Sequence, residues 1–206
     1  MRILVLDAAL SRCLAALVED GRVLRAHTAE GFHGQAAALP PLVAAVLDGK
    51  LDAVAVCVGP GSFTGLRAAI ALAEGLGAAR DIPVVPVTTG EALAAGLPSD
   101  QAVWAVTENR RGQFFVERFG AGGQAAGAPL MLAEADLPRP EGLVWLVGDG
   151  SAVVAARMAA RGWPVALGRA RRIEPLALAL AARRRLEGSL APRPLEPLYA
   201  GAPATT

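Results

Sequence analysis

Nine residues beginning at Gly59 have the sequence GPGSFTGLR and directly follow an apolar run. Glycines let a chain turn sharply and let a ligand approach the backbone closely. If a helix begins within this stretch, its free N–H groups and its dipole favour an anion there. Ser62 and Thr64 would either cap that helix or hydrogen-bond a phosphate. The loop therefore predicts a phosphate-binding turn or, with equal weight, a tight turn with a helix cap.

Two familiar phosphate loops do not match this stretch. A P-loop requires Gly-Lys-Ser/Thr, whereas Gly65 is followed by Leu66. A dinucleotide fingerprint requires GxGxxG and a ribose-binding acid after the next strand. Here Gly59, Gly61 and Gly65 give GxGxxxG, and the next predicted strand runs into Thr88. A Rossmann-type oxidoreductase is therefore disfavoured.

Asp7 closes the first predicted strand and is the one carboxylate placed as in phosphotransferases. Its simpler interpretation is a turn-forming acid at a strand end. Residues 8–10 are Ala, Ala and Leu, whose side chains cannot donate to a phosphate. The two histidines, His27 and His33, are too few for a metal site, which commonly takes three or four protein ligands. We therefore predict no metal, no cofactor and no catalytic residue.

The composition indicates an apolar globular protein with almost no net charge. Hydrophobic residues make up 53% of the chain, charged residues 19%, and the net charge is +1. Such a chain has no long-range field to gather nucleic acid on its own. An arginine cluster from Arg169 to Arg185 is interpreted as a solvated helix face, with an RNA-facing patch as the alternative.

Cysteine usage and the N-terminus favour the cytoplasm. Cys13 and Cys57 are not spaced as metal ligands are, and we interpret them as buried thiols in a reducing compartment. The N-terminus lacks the pattern of a secretion signal, and apolar stretches of about 18 residues or more, as a membrane span requires, are missing.

Strands and helices alternate in two halves, which predicts an α/β protein with mixed sheets flanked by helices. In the first half, Asp20-Gly21 predicts a two-residue hairpin. Strands are expected at 3–6, 14–19, 23–29, 52–58 and 84–87, and helices at 34–47, 66–79 and 90–95. In the second half, strands are expected at 102–107, 113–119, 143–147 and 163–167, and helices at 151–160 and 175–186. The predicted lobes are 1–100 and 101–206. Pro40 and Pro41 are expected in the first turn of their helix or at a kink.

The helix predicted at 66–79 is apolar nearly all round, so it must be covered on more than one side. One stripe comprises Leu66, Ile70, Ala73 and Gly77, and a second comprises Ala69, Leu72 and Leu76. Two apolar stripes need two covers, of which one sheet supplies only one. The second cover is therefore expected to be a neighbouring helix or another protein.

The loop GPGSFTGLR after its strand is similar to the hallmark loop of the TsaB (YeaZ) family. Supporting similarities lie at the opening strand with Asp7, at His33 with the Leu-x-Pro of Leu39, and at residues 86–93, 110–114 and 197–199. The resemblance covers residues 1–120 well and the rest loosely. It departs from the family at residues 8–10, where the family has hydroxyls.

The resemblance implies a two-lobed actin/hexokinase/Hsp70-like (ribonuclease H-like) fold. It implies a noncatalytic, cytoplasmic scaffold that binds the catalytic subunit TsaD, and with it the ATPase TsaE, for threonylcarbamoyl transfer to tRNA adenosine. The TsaD interface would lie on the helices predicted at 34–47 and 66–79, and would comprise Leu39 and Val43 together with the two stripes given above. When alone, the chain would pair with itself through the same helices, and tRNA would be reached only through the complex. In that setting Asp7, Gly59, Gly61, Ser62, Thr64 and Gly65 are candidates for a vestigial phosphate loop. The alternative is a small ATP-dependent phosphotransferase of the same fold, with Asp7 as base or metal anchor.

Overall fold

The computed structural model describes residues 1–31, 34–98, 100–109 and 112–199 of the 206-residue chain. It divides into two compact units. The first contains Met1–Ala92 and Ile173–Leu198, and the second contains Leu93–Arg172. The sequence placed all of 101–206 in the second lobe, but the C-terminal helix belongs to the first unit. The reason is that this helix carries the apolar face that covers the first sheet.

The first unit is built on a five-stranded mixed sheet in the order β3-β2-β1-β4-β5. Its strands are β1 (Arg2–Asp7), β2 (Arg12–Glu19), β3 (Arg22–Glu30), β4 (Ala53–Gly59) and β5 (Val84–Thr88). Strands β1 to β3 form antiparallel hairpins, whereas β4 and β5 run parallel to β1. The predicted turn between β2 and β3 is confirmed: Asp20 and Gly21 have φ values of 47° and 75°. Positive φ at both residues is what a type I′ hairpin turn requires.

Helices cover both faces of this sheet. Helices α1 (Gln35–Val46) and α2 (Phe63–Arg80) pack on one face, where Leu4, Leu6 and Val56 point into the same core as their own apolar residues. The short α3 (Thr89–Ala94) follows β5, and α5 (Pro175–Leu186) lies against β1, β2, β4 and β5. Covered on two faces, β4 is buried at every position, which explains its unbroken apolar sequence.

The second unit repeats the same strand order. Its sheet runs β10-β9-β6-β7-β8, so three antiparallel strands are again followed by two parallel ones. The strands are β6 (Ala102–Glu108), β7 (Gln113–Phe119), β8 (Leu130–Ala133), β9 (Val144–Val147) and β10 (Val165–Leu167). Helix α4 (Ser151–Ala160) packs on this sheet through Val154 and Met158. Strand β8 was not predicted, because its four residues LMLA are too short to show a period of two.

The start of α2 and the position of the two prolines in α1 also differ from the sequence-based expectation. Helix α2 begins at Phe63 rather than at Leu66, because Ser62 is its cap. Pro40 and Pro41 lie inside α1, in its second turn rather than its first. Within the described residues, the helices are all too short or too polar to span a membrane.

Candidate functional site

The candidate site lies at the carboxyl ends of the three parallel strands of the first sheet. Strand β1 ends at Asp7, β4 at Gly59 and β5 at Thr88. In open α/β sheets, ligand sites form at this edge because the connecting loops gather there. The structure therefore brings together the residues that the sequence singled out: Asp7, Gly59, Gly61, Ser62 and Gly65.

The turn 59–62 carries the chain from β4 into α2. Gly59 has φ of +104° and precedes a cis peptide bond to Pro60. Ser62 caps the helix: its hydroxyl accepts the N–H of Gly65 at 3.2 Å, and its carbonyl accepts the N–H of Leu66 at 2.9 Å. The cap interpretation of Ser62 is therefore confirmed. Thr64 is exposed in the first turn of the helix.

The loop 8–10 after β1 fills the space in front of this turn. The N–H of Ser62 donates to the carbonyl of Ala9 at 2.6 Å. A Cβ atom built on Gly61 or Gly65 would lie under 3.0 Å from the carbonyl oxygens of Ala9 and Ala8, respectively. Glycine is required at both positions because two backbones meet there. The amides of Ser62 and Gly65 are thus occupied by partners from this chain and not open to an anion.

Asp7 is buried at 2% exposure. Its carboxylate accepts the N–H of Ala9 at 2.9 Å. Burial raises the pKa of Asp7 from 3.8 to about 6, while the Ala9 hydrogen bond, the charge of Arg12 and a hydrogen bond from Cys57 act in the opposite direction. The hydrogen bonds and Arg12 therefore favour the charged form of Asp7, whereas burial favours the neutral form more strongly.

Cys57 and Thr89 connect Asp7 to the far side of the turn. The Cys57 sulfur lies 3.3 Å from the Thr89 hydroxyl, and that hydroxyl donates to the carbonyl of Pro60 at 2.7 Å. All three side chains are buried. The sequence had indicated only that Cys57 is a buried thiol. Nothing in a single sequence places two side chains 32 residues apart in contact.

Gln35 is a site residue that sequence reasoning missed. Its amide nitrogen donates to the carbonyls of Leu10 at 2.6 Å and Gly31 at 3.3 Å. It therefore ties the start of α1 to the loop 8–10. A lone glutamine at the start of the otherwise apolar helix sequence QAAALPPLVAAV was the available signal.

The partner face predicted on α1 and α2 requires a correction. Seven of its nine residues are buried within the first unit: Leu39, Val43, Leu66, Ala69, Ile70, Ala73 and Gly77. Leu72 and Leu76 are half-buried against the same core. The stripes chosen from the sequence face the chain's own sheet and the neighbouring helix, because α1 and α2 cover one sheet face side by side and pack against each other. Only the remaining positions of these helices are exposed.

The exposed positions of α1 carry no polar side chain, and those of α2 combine small residues with Thr64, Arg67, Glu74 and Arg80. On α1 they are Ala36, Ala37, Pro40, Pro41, Ala44 and Ala45. On α2 they are Phe63, Thr64, Arg67, Ala71, Glu74, Gly75, Ala78, Ala79 and Arg80. The guanidinium of Arg67 stacks 3.8 Å from the centre of the Phe63 ring. We call these residues the outer helix face.

The remaining sequence candidates have been placed as follows. His27 is exposed on β3, whereas His33, Arg110 and Arg111 lie outside the described residues. Three or more His, Cys, Asp or Glu side chains that could hold a metal do not come together anywhere in the described part. The arginine cluster is largely engaged: Arg183 pairs with Glu187 and Arg185 with Glu91, while Arg171 donates to the carbonyl of Gly168.

The topology and its site define a class of protein first. Both sheets have the strand order 3-2-1-4-5 of the ribonuclease H-like fold, and the chain resembles the ROK hexokinase of Thermus thermophilus with a TM-score of 0.51 over 91% of this chain and 99% of that one, at 14% identity. The chain thus has the actin-like, hexokinase-like fold that the sequence predicted.

Sequence comparisons are more specific. Residues 32–155 match the family model described as TsaD, tRNA N6-adenosine threonylcarbamoyltransferase. The chain is 35% identical over 102 residues to the tRNA threonylcarbamoyladenosine biosynthesis protein TsaB of Escherichia coli, covering 47% of this chain and 44% of that protein. It matches YeaZ from Pseudomonas aeruginosa with a TM-score of 0.73 and 27% identity over 96% of this chain and 99% of that one. The chain therefore belongs to the TsaD-type family and, within it, to TsaB (YeaZ). Its matched part spans about half the length of the curated relatives, or less.

Proposed function

We propose that this chain is a noncatalytic scaffold in the biosynthesis of threonylcarbamoyladenosine on tRNA, and that it binds a TsaD-type subunit through the outer helix face. One observation carries the proposal. The two adjacent helices that cover one face of the first sheet expose mainly alanine, glycine and proline. A helix on the surface of a monomer normally presents charged and polar side chains to water.

Helix α1 illustrates the argument. Its only polar residue is Gln35, which is buried, so its whole exposed side is apolar. Pro40 and Pro41 lack the N–H groups that would donate to the carbonyls of Ala36 and Ala37 within the helix. Small side chains allow a second helix to approach closely, and carbonyls without helix donors offer acceptors to a partner. A TsaD-type protein is the occupant we assign, because it is a paralogue of the same fold family.

The scaffold role is supported by the geometry at the carboxyl ends of the strands. Residues 8–10 present no hydroxyl to a phosphate, and the Ala9 carbonyl occupies the Ser62 amide. Both features weigh against the alternative, an ATP-dependent phosphotransferase with Asp7 as its base. With a net charge of +1, this chain has little attraction for tRNA on its own, so we assign the tRNA contact to the complex. We place that complex in the cytoplasm. By family resemblance, a TsaE-type ATPase joins the pair, and two copies of this chain pair through the outer helix face when TsaD is absent.

A matched pair of substitutions tests this proposal. Ala71 lies on the exposed side of α2 and Ala156 on the exposed side of α4. Ala71→Arg and Ala156→Arg add the same side chain to an exposed helix, so both should leave folding intact by circular dichroism. The affinity for the TsaD-type protein of the same genome is measured by calorimetry. We expect Ala71→Arg to weaken binding at least about tenfold, or about 1.4 kcal/mol, and Ala156→Arg to leave it unchanged.

Equal affinities for wild type and Ala71→Arg would reject the assigned face. Failure of the wild-type chain to bind the TsaD-type protein, or turnover of Mg-ATP by the purified chain alone, would reject the scaffold role itself. Light scattering on the same samples tests self-pairing, which Ala71→Arg should abolish. Addition of the TsaE-type ATPase to the wild-type pair should give a ternary complex.

A further inference from the structure

Asp7 is linked to the turn 59–62 by two separate hydrogen-bonded paths. One runs through the backbone: Asp7 accepts the N–H of Ala9, and the carbonyl of Ala9 accepts the N–H of Ser62. The other runs through the side chains of Cys57 and Thr89 to the carbonyl of Pro60. We infer that Asp7 is a positioning residue, which sets the turn 59–62 and the first turn of α2 according to whether its carboxyl group is ionised.

The second path responds to the ionisation of Asp7 because Cys57 and Thr89 each have only one proton to donate. The Thr89 hydroxyl donates its single proton to Pro60, so Cys57 must donate if it is to bond Thr89. The Cys57 thiol also has one proton, and an ionised Asp7 attracts it. When Asp7 is protonated, its own O–H can donate to the sulfur, which frees the thiol proton for Thr89. Protonation therefore reverses the hydrogen bond between Asp7 and Cys57 and allows Cys57 to donate to Thr89, while Thr89 continues to donate to Pro60.

The first path weakens on protonation. A charged carboxylate accepts the Ala9 N–H about twice as strongly as a neutral acid does. The loop 8–10, which holds Ser62, is thus anchored best when Asp7 is ionised. Burial raises the pKa of Asp7 to about 6, so ionisation changes between the slightly acidic and the neutral range.

The charged and titratable groups around Asp7 come from three elements. Strand β2 contributes Arg12, whose charge lowers the pKa of Asp7, and Cys13, whose own pKa is raised by burial and by Asp7. Strand β4 contributes Cys57. The segment before α5 contributes Glu174, which pairs with Arg12 at 3.7 Å, while Arg12 also donates to the carbonyl of Ile173.

The expected effect of Asp7 on partner binding rests on the proposed function. The first turn of α2 carries the exposed Phe63, and Arg67 of the next turn stacks on its ring; both belong to the outer helix face. If Asp7 positions that turn, the affinity for the TsaD-type partner should depend on pH, with a midpoint near the pKa of Asp7. We expect the ionised form to bind more tightly, at the lower end of the roughly 5- to 150-fold range typical of coupled equilibria.

The isolated chain gives the first test, which does not involve the partner. Amide NMR shifts of Ala9 and Ser62 are followed from pH 5 to pH 8 in wild type and in Asp7→Asn, with the Val144 amide of the second unit as reference. We expect both amides to titrate together in wild type and neither to titrate in Asp7→Asn. Flat amide shifts in wild type, or an unchanged titration in Asp7→Asn, would overturn the inference.

The second test uses the two free cysteines as a matched pair. Both are buried, but Cys57 lies on the path to Thr89, whereas the Cys13 thiol lies 3.6 Å from the carbonyl of Gln35. The pH dependence of partner affinity is compared in Cys57→Ala and Cys13→Ala. We expect Cys57→Ala to change it and Cys13→Ala to preserve it. Equal profiles in the two variants would overturn the inference, even if Asp7→Asn does not fold.

The two proposals fail in different ways. If wild type binds no TsaD-type protein at any pH while the amides of Ala9 and Ser62 titrate, the scaffold role fails and the positioning role within this chain stands. If wild type binds with the same affinity from pH 5 to pH 8, the scaffold role stands and the effect of Asp7 on binding is rejected.

Discussion

Arg185 and Glu91 form a buried, two-pronged ion pair between the C-terminal helix and α3. The distances are 2.6 Å from Nη2 to Oε1 and 3.1 Å from Nη1 to Oε2, and each side chain is only 7% exposed. Arg185 also donates to the carbonyl of Pro86, and Glu91 accepts the N–H of Thr88 at 2.8 Å. The pair joins residues 94 positions apart and holds α5 on the first unit.

Removal of one member of this pair should destabilise the protein strongly. Arg185→Ala leaves the Glu91 carboxylate buried without its cation, a change that typically costs about 3–5 kcal/mol. The neighbouring Arg183 pairs with Glu187 at the surface, with side chains 55% and 49% exposed, so Arg183→Ala should cost at most about 1 kcal/mol. Urea unfolding of the two variants measures the difference. Similar losses would show that the Arg185–Glu91 pair does not hold α5.

Asp7→Asn should make the protein more stable at neutral pH. The folded-state pKa of Asp7 is raised from 3.8 to about 6 by burial. Its contribution to stability is therefore fully present below pH 3.8 and is lost as the pH rises through about 6. At pH 7.5 the loss amounts to at most about 3 kcal/mol, since each pH unit corresponds to about 1.4 kcal/mol.

Unfolding of wild type and Asp7→Asn at several pH values from 4.5 to 8 checks this prediction. The advantage of the asparagine variant should be greatest at pH 8 and should shrink as the pH falls. A constant difference across the range would contradict the raised pKa. A cost in stability at neutral pH agrees with a carboxylate that is kept for positioning rather than for packing.

Two glycines of α2 should respond in opposite directions to alanine. A Cβ atom at Gly65 would lie under 3.0 Å from the Ala8 carbonyl and the Gln35 side chain, whereas one at Gly75 meets nothing within 4 Å. Gly65→Ala should cost about 2 kcal/mol or more, because backbone cannot easily move aside. Gly75→Ala should add about 0.5–1 kcal/mol, the gain in helix propensity. Thermal unfolding distinguishes them, and a stabilising Gly65→Ala would disprove the close approach of the loop 8–10.

The β2–β3 turn isolates a pure backbone effect. Gly21 has φ of +75°, and nothing lies within 4 Å of a Cβ atom built there. Gly21→Ala should therefore cost about 1–2 kcal/mol from left-handed strain alone, and Gly21→Asn should cost less, since asparagine tolerates this region better. Chemical denaturation of both variants provides the measurement. Equal stability of wild type and Gly21→Ala would mean that the turn is not type I′.

Local features were predictable because their causes lie within a few residues. Asp20-Gly21 specified a hairpin turn, and Pro175 to Leu186 specified a helix whose ends agree with the structure. The glycines of GPGSFTGLR indicated a strand-to-helix turn, which the structure contains. Strand β8 escaped prediction because four residues carry too little periodicity.

By itself, the sequence determined the alternation of strands and helices, the turn after β4 and the resemblance to one family, because each depends on short-range pattern. Only the tertiary structure decided which stripe of α2 is buried, because a helix that is apolar all round does not indicate which side its sheet covers. It also decided that α5 returns to the first unit, and that Asp7, Cys57 and Thr89 meet. Those contacts join residues 32 to 94 positions apart, and a pattern read along the chain contains no information about such distances in space.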